Sequence, residues 1–561
     1  MQSAVFSRIA GQLDFALGTG PSPSIRFPSA GPYDQRLGYT DLPRFVSRLG
    51  ERGYRIERQA RLSEGHMASV ERGIPPIYKE RTQAGLALLD HGGASMFEAR
   101  FPERIYPGFD AVPPLVAATL LFIENRELLA PGAVRRNPAI EWDRMLAVVP
   151  SALAKLADPT ISVPGASTLA TQIEKYRHSP FGRTDDVREK LKQMASASLR
   201  AYLDGPDTSA ARRQIVVDYL NSTPLAARAG FGEVNGLGDG LHAWFGSDLE
   251  QVNRSLRGSA RTPEEQAEKA LFYKQVLSLL LAQRRPAYYL VAGRDDLEAL
   301  ADRYLRLLLA AEITDDALGQ AALARRLQFA AAPPARAEVP FVDQKAANAI
   351  RAELLSLLGL RSLYALDRLD LTSATSIDLA AQQRLTSELQ QLTDPDAARD
   401  LGLYGHRLLD PDRSGEPLIA SLTLYERGDG VTYLRVQTDN LNQPFDLNSG
   451  AKLDLGSTAK LRTLITYLEI VAALHDRLTR LDPAERKVVA ASVADPLSVW
   501  AAEHLRTAGD VGLEAMLEAA MARRYSASPW ERFFTGGGVH RFANFQAEDN
   551  DRVMSVAEAF R

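Results

Sequence analysis

Between Pro113-Pro114 and Phe329 the sequence keeps a helical apolar periodicity with few strand signals, which commits the centre of the chain to one mainly α domain. Amphipathic or apolar helices are expected over 115–129, 185–203, 208–220, 263–282 and 296–313. The paired prolines suit the first turn of a helix, where a missing N–H costs nothing. Ala331-Ala332-Pro333-Pro334-Ala335 then reads as a break. The texture differs on both sides of this block. Upstream, a Gly/Pro/Ser-rich loop (18–31), a helical stretch (41–53) and the alternating Tyr54-Arg55-Ile56-Glu57-Arg58 suggest a small α+β module. Downstream, 369–377 and 421–436 are β-rich, with a turn at Gly428-Asp429-Gly430, and a helix is expected from Ser457 to about Ala473. The expected fold class is multidomain α+β: an N-terminal accessory module (1–104), a mainly α domain (105–332), a linker region (333–400) and an α/β segment (401–561).

Composition narrows the function classes. A formal net charge of −4 gives no bulk attraction to nucleic acid. The absence of cysteine removes disulfides and thiolate metal sites. No apolar run approaches the ~18–20 residues of a membrane helix, and the first residues lack a charged-then-apolar export pattern. No separate metal-ligand cluster is legible.

Four segments of the helical block carry possible chemistry: Ile123-Glu124-Asn125-Arg126; Gly165-Ala166-Ser167-Thr168 with Thr171-Gln172; the basic stretch Arg188-Glu189-Lys190-Leu191-Lys192-Gln193; and Tyr219-Leu220-Asn221. Taken singly, each also fits a solvated helix face or a cap. Their order resembles the glycosyltransferase family 51 domain of class A penicillin-binding proteins. There, E-D-x-x-F, G-G-S-T-x-x-Q-Q, R-K-x-x-E and a helix ending Y-[LM]-N follow one another. The closing Trp244-Phe245-Gly246 fits the family's aromatic-Gly segment. The resemblance implies a lysozyme-like helical domain that polymerises lipid-linked disaccharide-peptide (lipid II) into glycan chains. It assigns Glu124 as the base, and Ser167, Thr168, Gln172, Lys175, Lys190, Gln193 and Asn221 to substrate binding. It also implies a possible divalent cation (Mg or Mn) at the pyrophosphate. The departures are Asn125, Leu128, Pro131, Thr171, Glu189, Val217 and, above all, Gln193, where the family has its second acid. An altered site leaves a second reading open, a cell-wall scaffold that binds lipid II or glycan without turnover. A third, a glycan hydrolase, needs a carboxylate pair that Gln193 interrupts.

Asp454-Leu455-Gly456-Ser457-Thr458-Ala459-Lys460 contains S-x-x-K, which sets a hydroxyl and an amine one helical turn apart. An N-capping Ser beside a surface Lys would look the same. With the β-rich sequence before it and the apolar helix after it, the segment resembles the penicillin-binding transpeptidase motif P-G-S-x-x-K, with Leu455 for the Pro. Thr375-Ser376-Ile377-Asp378 and Gln382-Gln383 resemble the entry to that domain. The resemblance implies acylation of Ser457, with Lys460 as its base, by D-alanyl-D-alanine stem peptides or β-lactams. S-x-N and K-[ST]-G are not found after Ser457, so the expectation is a truncated transpeptidase domain. The family further implies the periplasmic face of the inner membrane, with an apolar surface within 115–165 dipping into the bilayer, and a docking role for residues 1–104.

Overall fold

The computed structural model describes residues 2–141, 167–335, 339–406, 408–410, 412, 415–452, 456–492, 495–535 and 538–561. It contains two compact units, Met1–Gly450 and Ala451–Arg561.

The first unit opens with α1 (Gln2–Ala10), β1 (Phe15–Thr19), α2 (Pro32–Arg36), α3 (Leu42–Glu51), β2 (Arg58–Leu62) and α4 (Glu64–Glu71). β1 and β2 pair antiparallel, Phe15 opposite Leu62. The strand expected over 54–58 thus lies later, because Gly53 turns the chain at φ +86° and pairing begins only at Arg58. β3 (Leu86–Leu89) and β4 (Ser95–Glu98) follow.

The central block holds α5 (Pro114–Glu124), α6 (Leu169–His178), α7 (Val187–Ala201), α8 (Ser209–Ser222), the hairpin β5 (Pro224–Arg228) and β6 (Gly232–Asn235), α9 (Pro263–Ala282), α10 (Arg294–Ala310) and α11 (Asp316–Leu323). Pro113 and Pro114 start α5 as expected, but the helix stops at Glu124 rather than near 129. Asn125 leaves helical geometry at φ −159° and turns its amide to Glu141. α9 begins with a capping box between Thr262 and Glu265, and its second half is buried on all sides, as a helix threading a core must be. Lys274 is fully buried there, its ammonium 2.7 Å from Asp302 and 3.5 Å from Glu298. Gly236 sits at φ +80°, where a Cβ would lie 2.4 Å from the Asn221 carbonyl oxygen; no side chain fits where α8 meets the hairpin.

The stretch 333–400, expected as a linker region, is folded. It forms α12 (Lys345–Leu358), β7 (Leu371–Ala374) and α13 (Leu379–Gln391). β7 pairs parallel to β3, giving a sheet of order β4-β3-β7. Ala347, Leu358, Leu366 and Leu369 share a core with Phe45, Leu86 and Leu88. The N-terminal module is therefore completed by residues from beyond the helical block. The antiparallel ribbon β8 (Ser421–Gly428) and β9 (Val431–Asp439), turning where expected, also belongs to the first unit, so the expected boundary at 401 differs from the division after Gly450.

The second unit packs α14 (Ala459–Thr479), α15 (Pro496–Thr507) and α16 (Leu513–Ala522) through Val471, Leu474, Leu478, Ala501, Leu505 and Met516. The first turns of α14 leave Leu461 and Ile465 about half exposed, at 53% and 48%. Among the described residues no helix is long and apolar enough to cross a membrane. Residues 142–166, nearly half of the expected bilayer-facing stretch, lie outside the described residues, and α5 buries Val116, Ala117, Thr119 and Leu120.

Candidate active site

Because α5 ends at Glu124, the carboxylate projects from a helix terminus into a cleft walled by α6, α7 and the end of α9. Its Oε2 accepts a hydrogen bond from Gln172 Nε2 at 2.9 Å, and its Oε1 accepts one from Gln283 Nε2 at 3.1 Å. The Arg284 guanidinium stands 3.6 Å from the same Oε1. The Glu124 side chain is 11% exposed, enough to meet a ligand and little enough to keep its bonds from water.

Gln172 and Lys175 lie one turn apart on one side of α6. Burial lowers the Lys175 pKa, and Glu124 opposes that shift. Lys190, on α7, donates to Ser167 Oγ at 2.8 Å and lies 3.5 Å from Thr171 Oγ1. Burial first, and then the neighbouring Lys175, bring Lys190 down to about 8. Lys175 thus lies within electrostatic reach of Glu124 on one hand and of Lys190 on the other, an arrangement that can take up a proton and hold a polyanion at neighbouring points.

Glu124, Ser167, Gln172, Lys175 and Lys190 are therefore brought together, though they come from three separate segments. Three other expected binding residues have different surroundings. Thr168 is fully buried and caps α6, its hydroxyl accepting from Thr171 N and donating to Ala139 O. Asn221 is 1% exposed and staples the backbone of Tyr106, accepting from its N–H and donating to its carbonyl, both at 2.8 Å. Gln193 is 3% exposed; its amide donates to Ser179 Oγ at 3.0 Å and Thr184 Oγ1 at 2.9 Å. The polar atoms of these three make hydrogen bonds within the protein, and Gln193 also lines a small cavity with Glu174, His178 and Ser179. Gly165 and Ala166 lie outside the described residues.

Sequence reasoning missed Gln283 and Arg284. A signal was available: two polar residues, then Arg285, directly follow the apolar end of α9. It also missed a buried charged cluster on the opposite side of α6. There His178 Nδ1 lies 2.8 Å from Asp34 and its Nε2 3.3 Å from Glu80. Arg200 pairs with Glu80 and with Glu174, the latter at 2.8 Å. Burial works against the charged form of His178, but Asp34 and Glu80 outweigh it and raise its pKa. Burial alone would raise Glu80, but Arg200 and then His178 hold it at about 2. The cluster joins the α2 and 74–81 segments to α6 and α7, the two helices that carry Gln172, Lys175 and Lys190.

In the second unit, Ser457 lies in the turn Gly456–Thr458 before α14, and Lys460 Nζ stands 3.4 Å from its Oγ. Both residues are exposed. This pair can pass a proton from hydroxyl to amine if the distance closes. Asp454 and Leu455 lie outside the described residues.

Residues 94–308 match the protein family described as Transglycosylase, a span that includes every residue of the Glu124 cleft and stops short of Ser457. No curated protein matches the chain. The chain thus carries a transglycosylase domain, whose family implies a glycosyltransferase acting in peptidoglycan glycan polymerisation and binding lipid II and glycan substrates.

Proposed function

We propose that the transglycosylase domain polymerises lipid II, with Glu124 as its general base. The observation that carries this is one braced carboxylate with Lys175 in electrostatic reach and Lys190 next to Lys175, both lysines partly removed from water. In the reaction, the acceptor sugar hydroxyl gives its proton to Glu124 and its oxygen bonds to the donor's anomeric carbon. The bond from that carbon to the undecaprenyl pyrophosphate breaks, and Lys175 and Lys190 receive the negative charge that develops on the leaving group. Ser167, held by Lys190, and Gln172, held by Glu124, supply hydrogen bonds along the donor.

A divalent cation fits this donor set poorly. Among the described residues there is no group of three or more His, Asp or Glu side chains able to hold a metal. Among the described residues, the groups brought together here are two ammonium groups, hydroxyls, amides and the Glu124 carboxylate, which Arg284 approaches at 3.6 Å. Hard cations ask for several oxygen ligands with negative charge. The charge on the pyrophosphate therefore falls to the lysines.

The test is polymerisation of lipid II by the purified chain beside Glu124→Gln. Long glycan products that vanish in the variant support the reading. Lipid II bound by the wild-type chain without product would favour a non-catalytic scaffold, a role that Gln193 in place of an acid also suits.

For the second unit we propose acyl transfer at Ser457, assisted by Lys460, with stem peptides or β-lactams as acyl donors. Labelling by a fluorescent penicillin that disappears in Ser457→Ala supports it, and equal labelling of the two proteins overturns it. Action at the periplasmic face of the inner membrane, against a lipid surface, follows from the nature of lipid II.

A further inference from the structure

We infer that Gln283 and Arg284 are positioning residues for Glu124, a clamp that aims the carboxylate. The inference rests on the reading of Glu124 as the base. Its support is geometric. Gln283 and Arg284 both act on Oε1, while Gln172 holds Oε2 from another helix, so the plane of the carboxylate is set from two sides. A base held within a fraction of an ångström of its working position gains most of its effect from that placement. Arg284 is itself oriented, its guanidinium lying 5.4 Å from the centre of the Tyr304 ring on α10. The contacts with Glu124 and Tyr304 raise the Arg284 pKa against the effect of burial, which keeps a full positive charge beside Glu124.

The positive charge near Glu124 comes from Arg284, just past the C-terminal end of α9, and from Lys175 on α6. The Arg284 guanidinium, 3.6 Å away, adds an electrostatic hold on the oxygen that Gln283 already hydrogen-bonds. Its side chain is 41% exposed, so it can be replaced without opening the core.

The experiment compares the full chain with Arg284→Ala, Arg284→Lys and Gln283→Ala, using Glu124→Gln as the floor. For polymerisation of lipid II, Arg284→Ala is expected to lower kcat by roughly tenfold or more while KM stays within about twofold. Arg284→Lys restores part of kcat because it returns the charge without the fork, and Gln283→Ala shows a smaller loss. Unchanged kcat, a change confined to KM, or a lysine variant no better than alanine would each overturn the inference. A second measurement does not depend on turnover. The infrared difference between wild type and Glu124→Gln isolates the carboxylate band of Glu124. That band should shift and broaden in Arg284→Ala, as expected when a carboxylate held from two sides loses one of its holds. A band that stays put overturns the clamp even if polymerisation is robust. A band that shifts in a chain that never polymerises keeps the clamp and removes only the reading of Glu124 as a working base.

Discussion

Glu124 is fixed by side chains that arrive from α6 and from the end of α9, whereas Ser457, in the turn before α14, meets Lys460 from the first turn of that helix. The first site is assembled across more than a hundred residues of sequence and is largely buried. The second is local and exposed. This difference separates two kinds of evidence. An S-x-x-K spacing makes proximity almost automatic, since residues three apart on a helix are neighbours whatever they do. Proximity of Glu124 to Gln172 and Gln283 is not automatic; it requires the whole helical block to fold in one way. The assembled site therefore says more about function than the local pair does, even though the local pair is nearer a known motif in spelling.

The comparison breaks first, and by the largest margin, on Glu124→Asp. Asp keeps the charge but withdraws the carboxylate by one methylene from both Gln172 and Gln283. If assembly is what matters, polymerisation should fall by roughly 10²-fold, as a misplacement of about 1 Å costs. Activity near wild type would show that the braces are incidental. A stability difference of the same kind comes next. Asn221→Ala removes both hydrogen bonds to the Tyr106 backbone and leaves a buried N–H and carbonyl without partners, at a cost of about 2 kcal/mol in chemical denaturation. Ile465→Ser, on the exposed turn of α14, should stay within about 0.5 kcal/mol.

The helical block and the order of its chemistry were legible because helices and caps are written locally. The α9 boundaries coincide with the apolar run after Thr262, and the basic stretch at 187–201 is a helix. What the sequence left hidden was non-local. The pairing of β3 with β7 joins strands on opposite sides of the helical block, and β7 has no partner beside it in sequence to announce the contact. That is why 333–400 read as a linker. The same holds for the site. Glu124, Gln172, Lys175 and Lys190 were visible through an ordered resemblance, but Gln283, Arg284 and the His178 cluster had no motif to mark them. Thr168 and Asn221 were visible for another reason. Their side chains serve the backbone, and residue type alone does not separate a cap or staple from a ligand contact.

Lys190 offers a sharper and smaller test of the cleft. With its pKa near 8, it is partly neutral just above physiological pH, and a bound polyanion should restore its proton. Affinity for inorganic pyrophosphate, measured by calorimetry, should therefore weaken as pH rises from 7 to 9, by roughly tenfold at most from this group. Lys190→Arg, which stays charged throughout, should flatten that dependence. Equal slopes in the two proteins would mean that Lys190 does not face the anion.

The smallest expected effect concerns the cluster behind the cleft, and its sign follows from the two shifts. The folded protein raises His178 above 6.5, so the stability this group contributes is fully present below pH 6.5 and is lost as pH climbs through the raised value. Glu80 is lowered from 4.5 to about 2, so its contribution is present above pH 4.5 and is lost as pH falls toward 2. Both contributions are complete only between about pH 4.5 and 6.5. Lys190 acts in the opposite sense on the alkaline side, because the unfolded chain holds its proton from pH 8 to 10.5 while the folded chain does not. The informative quantity is accordingly the difference in melting temperature between wild type and His178→Gln at each pH. That difference should be greatest in the acidic window and shrink toward alkaline pH, while Lys190 cancels between the two proteins. A difference that is flat with pH would mean that His178 contributes by shape and hydrogen bonding alone. The braces on Glu124 would then be tuned by packing, with no electrostatic link through α6 to the N-terminal module.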